Sequence, residues 1–135
     1  MAKPPDFYKG LIMGKARPVI AYIDNNDAAL SMMELVFKQE LAAQFYTFSM
    51  QPEQVVILLD LNPDLLIFDG DELAQQVADL MPKFKRTPQL ALLSSRKPQE
   101  IVPLFEKYRK TIFSRPFNPL KLKQEVLNLM GIEKQ

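Results

Sequence analysis

Residues 63–70 read Pro63-Asp64-Leu65-Leu66-Ile67-Phe68-Asp69-Gly70, an unbroken apolar run ended by a carboxylate and a glycine. A strand covered on both faces carries such a continuous run instead of an alternating one, which marks a parallel sheet buried between helices. A second run of the same kind, Val19-Ile20-Ala21-Tyr22-Ile23, ends at Asp24. In open α/β sheets ligands sit outside the carboxyl ends of the strands, so Asp24 and Asp69 are expected to share one site.

Outward from these runs the chain alternates. After the first strand, Asn25-Asn26-Asp27 offers helix caps, and apolar residues at helical spacing from Leu30 predict a helix to about Glu40. Residues 45–48 are β-prone, Pro52 suits the first turn of a second helix over residues 53–61, and Asn62-Pro63 breaks it. The second half gives a helix over residues 72–84, strained or ended near Pro82, and a strand over residues 89–93. A helical stretch from Lys97-Pro98 to about Arg109, a strand over residues 111–114 and a helix over residues 119–130, closed by Gly131, complete the series. Five strand–helix alternations imply right-handed crossovers and an α/β, flavodoxin-like (βα)5 doubly wound sandwich with a parallel five-stranded sheet of order 2-1-3-4-5. Strands one and three are neighbours in that order, which places Asp24 beside Asp69 by topology alone.

Composition narrows the chemistry. With 135 residues, 47% apolar, the chain has the size of one domain with a real core. Seventeen basic against sixteen acidic residues give a formal charge of +1, so no global field draws nucleic acid or an anionic membrane. No Cys and no His are present, which removes disulfides, thiolate or imidazole metal sites, a His base and a phosphohistidine. No apolar run approaches the roughly 18 residues of a membrane span and no signal-peptide centre occurs, so a cytoplasmic protein is expected. Residues 1–17, with Pro4, Pro5, Gly10, Gly14 and the basic Lys3, Lys9, Lys15 and Arg17, read as a lead-in or linker. Residues 18–131 form the domain and 132–135 a short tail.

Two carboxylates a few ångströms apart repel by about 4 kcal/mol at an effective dielectric of about 20, so such a pair tends to hold a cation or a proton. Oxygen donors in an open cleft suit Mg²⁺ or Mn²⁺.

The segments Ile23-Asp24-Asn25-Asn26-Asp27-Ala28-Ala29-Leu30 and Pro63-Asp64-Leu65-Leu66-Ile67-Phe68-Asp69 resemble the two acidic segments of response-regulator (CheY-like) receiver domains, and Ser114-Arg115-Pro116-Phe117 resembles that family's Lys-Pro-Phe turn. The resemblance implies Asp69 as phospho-acceptor, and Asp24, Asp69 and the backbone carbonyl of Asp71 as ligands of a weakly held Mg²⁺ that neutralises incoming phosphoryl oxygens. Asn25, Ser94, Arg115 and Pro116 would support that site. The departures point to a degenerate or pseudo-receiver. Asn25 replaces a second acid, and Arg115 replaces a compact Lys whose reach a planar guanidinium does not reproduce. The family's switching hydroxyl falls on Leu93, or on Ser94 if the alignment slips by one, and its coupled aromatic falls on Ile112.

The resemblance therefore implies a non-enzymatic signalling domain of the two-component type. Its partner would be a histidine kinase, a phosphotransfer protein or another protein. Contact, or homodimerisation, would use the face of helix four, strand five and helix five, with Lys107, Tyr108 and Lys121 as members. Output would pass through a protein contact or a domain fused upstream, since only residues 132–135 follow Gly131. A phosphorylation-independent adaptor is the alternative. A flavin or nucleotide binder fits less well, because the turn Asp24-Asn25-Asn26-Asp27 lacks the glycines or hydroxyls that let backbone amides approach a phosphate. A hydrolase fits less well still, because no Gly-x-Ser-x-Gly occurs.

Overall fold

The computed structural model describes residues 17–132, so the lead-in before Arg17 and the last three residues lie outside the described residues. Five strands, β1 (Val19–Ile23), β2 (Gln44–Phe48), β3 (Leu65–Asp69), β4 (Gln89–Ser94) and β5 (Lys110–Ser114), pair in parallel in the order β2-β1-β3-β4-β5. The expected topology is the observed one. Helices α1 (Asp27–Phe37), α2 (Pro52–Leu61), α3 (Ala74–Leu80), α4 (Pro98–Ile101) and α5 (Pro119–Leu129) connect and follow the strands.

The sheet divides the core in two. Side chains alternate across a strand, so Ala21, Ile23, Leu66, Phe68, Leu90 and Leu92 pack towards α2, α3 and α4, around Leu58, Val77 and Phe105. Ile20, Tyr22, Leu65, Ile67, Ala91 and Leu93 face the other way, against Met33 and Phe37 of α1 and Leu122 and Val126 of α5. Cover on both faces is the physical reason that β1, β3 and β4 read as continuous apolar runs.

Helix ends follow the local chemistry. The Asn26 side chain caps α1 by accepting from Ala29 N at 2.9 Å, and Asn118 caps α5 by accepting from Leu120 N and Lys121 N. Asn62 ends α2 in the left-handed region at φ 48°, and Gly131 follows α5 at φ 75°.

Three helices are shorter than their apolar periodicity implies. The α1 helix stops at Phe37 because Lys38 N turns tightly onto Leu35 O and Glu40 N onto Phe37 O. The third helix begins at Ala74 and gives way to a 3₁₀ turn at Met81–Lys83, where Pro82 has no N–H to continue the ladder. The largest departure is α4, which does not reach Arg109. It ends at Ile101 and passes into a 3₁₀ turn, Val102–Phe105, because Pro103 has no N–H to offer Gln99. Phe105 still anchors this segment, buried with its ring 5.4 Å from that of Phe68.

Candidate functional site

The strand register brings the acids together. Ile23 pairs with Phe68, so the next residues, Asp24 and Asp69, close adjacent strands, while Asp69 itself pairs with Leu93 and Ser94 with Ser114. Arg115 follows directly, its N–H donating to Ser94 O at 3.0 Å. Thus Asp24, Asp69, Ser94 and Arg115 meet at the carboxyl edge of the sheet.

Asp69 Oδ1 accepts from Asp71 N at 2.8 Å and lies 3.5 Å from Arg115 Nη2. Arg115 Nε stands 3.7 Å from Asp71 Oδ2, an ion-pair distance, and is buried without a hydrogen-bond partner. One guanidinium therefore spans both carboxylates. Its Cζ lies 5.6 Å from the centroid of the Phe117 ring, and the Arg115–Pro116 peptide that leads to Phe117 is cis.

Asp71 is the hub of a second set of contacts. Its carboxylate accepts from Ser94 Oγ at 2.7 Å, from Ser95 N at 3.0 Å and from Ser95 Oγ at 2.8 Å. Its backbone carbonyl accepts from Arg96 Nη2 at 2.6 Å. Partial burial raises the Asp71 pKa, but the Ser94 and Ser95 hydroxyls, the Ser95 amide and the Arg115 charge outweigh it and hold the carboxyl below its ordinary range.

Asp24 is buried and already satisfied. Its Oδ2 accepts from the Tyr22 hydroxyl and its Oδ1 from Asn26 N at 3.0 Å. Burial, with the neighbouring Asp24 carboxylate second, pushes the Tyr22 phenol well above its usual range. Asn25 does not support the pocket: it is exposed, and its Oδ1 accepts from Met50 N at 3.0 Å, pinning the loop after β2. A nucleotide phosphate would find the first turn of α1 occupied, since Asn26 caps it.

These donors do not fit a resident Mg²⁺. The carbonyl of Asp71 is taken by Arg96, Asn25 faces elsewhere, and two guanidiniums already balance the charge of Asp69 and Asp71. Among the described residues no three His, Cys, Asp or Glu side chains form a metal-ligating group. The register sets the two candidate hydroxyl positions apart. Leu93, fully buried, is the residue paired with Asp69, whereas Ser94 spends its hydroxyl on Asp71. Ile112 packs half-buried against the α3–α4 side of the core.

The three residues expected on the interaction face separate. Lys107 and Tyr108 border a hollow at the foot of the sheet with Pro88 and Phe84, whereas Lys121 lies on the first turn of α5, beside Phe117 at the opposite end. Tyr22, Ser95 and Arg96 are site residues that the sequence did not single out. A signal was present for Tyr22, the one aromatic in an aliphatic strand and two residues from Asp24, hence on its face. None was present for Arg96, whose partner is a backbone atom.

No family model and no curated protein matches the chain. Solved structures do. A response-regulator receiver domain from Bacillus halodurans superposes with a TM-score of 0.64 at 13% identity, over 82% of this chain and 95% of that one. Chemotaxis protein CheY4 of Vibrio cholerae gives 0.65 at 16% identity, over 84% and 98%. A response regulator from Desulfuromonas acetoxidans gives 0.62 at 16%, over 84% and 96%. The fold is that of response-regulator receiver domains.

Proposed function

We propose that this receiver-fold chain is a signalling domain of the two-component type that works without phosphoryl transfer, as a pseudo-receiver acting through protein contacts. The observation that carries the reading is the pair of arginines: Arg115 spans Asp69 and Asp71 while Arg96 fills the Asp71 carbonyl. Groups that an incoming cation and phosphoryl oxygens would need are engaged with the chain's own cations. Leu93, beside Asp69, offers no hydroxyl to respond to an added phosphate. Asp24, with both oxygens engaged, and Asp69, paired with Arg115, then hold no resident Mg²⁺, and the domain performs no catalysis of its own. Its partner is a protein, not a nucleic acid.

One observation favours residual acceptor chemistry. The Asp71 amide and Arg115 both address Oδ1 of Asp69, leaving Oδ2 as the oxygen a phosphodonor, or a histidine-kinase or phosphotransfer partner, would meet. The test is incubation with acetyl phosphate and millimolar Mg²⁺, followed by intact mass and by amide NMR with beryllofluoride. An unmodified mass and unshifted amides at Asp24, Asp69 and Arg115 are expected. A phosphoryl adduct that disappears in Asp69→Asn would overturn the proposal in favour of a live acceptor.

A further inference from the structure

Positive charge collects at the end of the sheet opposite the acidic pocket. The loop that enters β4 carries Lys83, Lys85 and Arg86 and no acid, and the approach to β5 carries Lys107, Arg109 and Lys110 against Glu106. Strand pairing sets the two segments side by side, since Leu90 pairs with Lys110 and Leu90 N donates to Arg109 O at 2.9 Å. The whole chain has a formal charge of only +1, so basic groups are segregated onto this end. Lys83, Lys85, Arg86, Lys107 and Arg109 are all exposed. Among the described residues only Arg86 of these five enters an ion pair, with Asp64 at 3.5 Å.

Between the two segments lies a hollow of about 730 Å³ whose apolar lining includes Met81, Phe84, Pro88, Tyr108 and Met130. Lys107 and Arg109 stand on its border, and the one carboxylate there, Asp64, is engaged by Arg86 and by Val19 N at 2.7 Å. Its walls are fixed by hydrogen bonds of the chain itself. The Asn62 side chain clamps Arg86, donating to its carbonyl at 2.8 Å and accepting from its N–H at 2.9 Å, and Tyr108 N donates to Phe105 O at 3.0 Å. A wall already held in place loses little freedom on binding, and methionine side chains re-pack around apolar groups of different shape.

These features select a peptide over a nucleic acid. Single strands gain affinity by stacking bases on open aromatic faces, but Phe84 is 7% exposed and Tyr108 is half-buried with Lys107 Nζ 5.7 Å from its ring centroid. Phosphates alone would meet the basic rim and leave the apolar hollow unused. We infer that this hollow docks an acidic segment of a partner protein, one apolar side chain seated among Met81, Phe84, Tyr108 and Met130 and its flanking Asp or Glu residues facing Lys107 and Arg109. Lys83 and Lys85 add to the attraction, because a patch of one sign concentrates the opposite charge. The inference rests on the protein-contact reading above and names the surface and the partner's chemistry. The surface lies at the amino end of β4 and β5, remote from Asp69 at the carboxyl edge, so its occupancy calls for no phosphate.

The test is a fluorescence-anisotropy titration of the full-length chain with labelled peptides made of Asp and Glu around one central Leu, Met or Phe. Binding is expected, weakening as salt rises and falling by about tenfold when Lys107→Glu and Arg109→Glu are combined. Amide NMR of the unsubstituted chain, which depends on no variant's folding, should show peptide-induced shifts over residues 83–88 and 107–110 and none at Asp24, Asp69 or Arg115. Silence from every such peptide, equal binding of a peptide with Ala at its centre, or undiminished affinity in the charge-reversed chain with an unchanged circular dichroism spectrum would overturn the inference. Tighter binding of an oligothymidylate or a DNA duplex would do the same. Shifts confined to another face would overturn this surface and leave the protein-contact reading standing, whereas an acetyl phosphate adduct at Asp69 bears on that reading alone.

Discussion

The Arg115 guanidinium lies 3.5 Å from Asp69 Oδ1, and the same planar group lies 3.7 Å from Asp71 Oδ2, so a fixed side-chain cation sits where two carboxylates would otherwise repel. Arg suits this role because its fork reaches two acceptors at once, which a single ammonium does not.

Replacing Arg115 with Ala leaves Asp69 and Asp71 facing each other. The pair is partly exposed, so a loss of about 1–2 kcal/mol is expected, between the values for exposed and buried pairs. Urea denaturation measures it. Added Mg²⁺ should then raise the melting temperature of Arg115→Ala more than that of the parent; equal responses would show that Arg115 is not the group that substitutes for a cation.

Arg96→Ala frees the Asp71 carbonyl, and Asn25→Asp restores a second acid after Asp24. Together they should create a calorimetrically detectable millimolar Mg²⁺ site that the parent lacks. If the double variant stays silent, the block lies in Tyr22 and Arg115 instead.

Asp71 makes stability fall in acid. Its folded-state pKa lies below the ordinary 3.8, so its contribution is complete above that value and is lost as pH falls through the lower, folded-state value. Asp71→Asn should therefore flatten the acid limb of a stability–pH curve below about pH 4. Parallel limbs for the two proteins would contradict the network around Ser94 and Ser95.

Tyr22 acts at the other end of the scale. Its pKa is raised in the folded chain, so the proton is held more tightly there than in the unfolded one, and stability declines as pH rises past the ordinary value of 10.0. Absorbance titration should show no tyrosinate signal from Tyr22 before alkaline unfolding. In Tyr22→Phe that unfolding should move to higher pH, provided the loss of the bond to Asp24 is corrected for at neutral pH.

Phe105 holds a segment that contains little regular helix. Phe105→Ala should cost about 3–5 kcal/mol, the range for deleting a buried Phe ring, with amide exchange accelerated first over residues 98–109. A cost under about 1 kcal/mol would mean that the α4 segment is anchored elsewhere.

The parallel sheet, its strand order and the placing of Asp24 and Asp69 at the ends of neighbouring strands were legible in the residue order, because burial on both faces imposes continuous apolar runs and the crossover rule leaves few topologies. The short α4 was not, although Pro103 was visible, since apolar periodicity continues through the 3₁₀ turn that buries Phe105. Residue order was enough to say which acids and which arginine stand at the carboxyl edge. What they do there emerged with the packed loops: Asn25 turns to Met50, Ser94 to Asp71, and Arg96 to the Asp71 carbonyl. Residue identity limits what a group can donate or accept, but the partner it finds depends on distances between separate loops, which the order of residues along the chain does not encode.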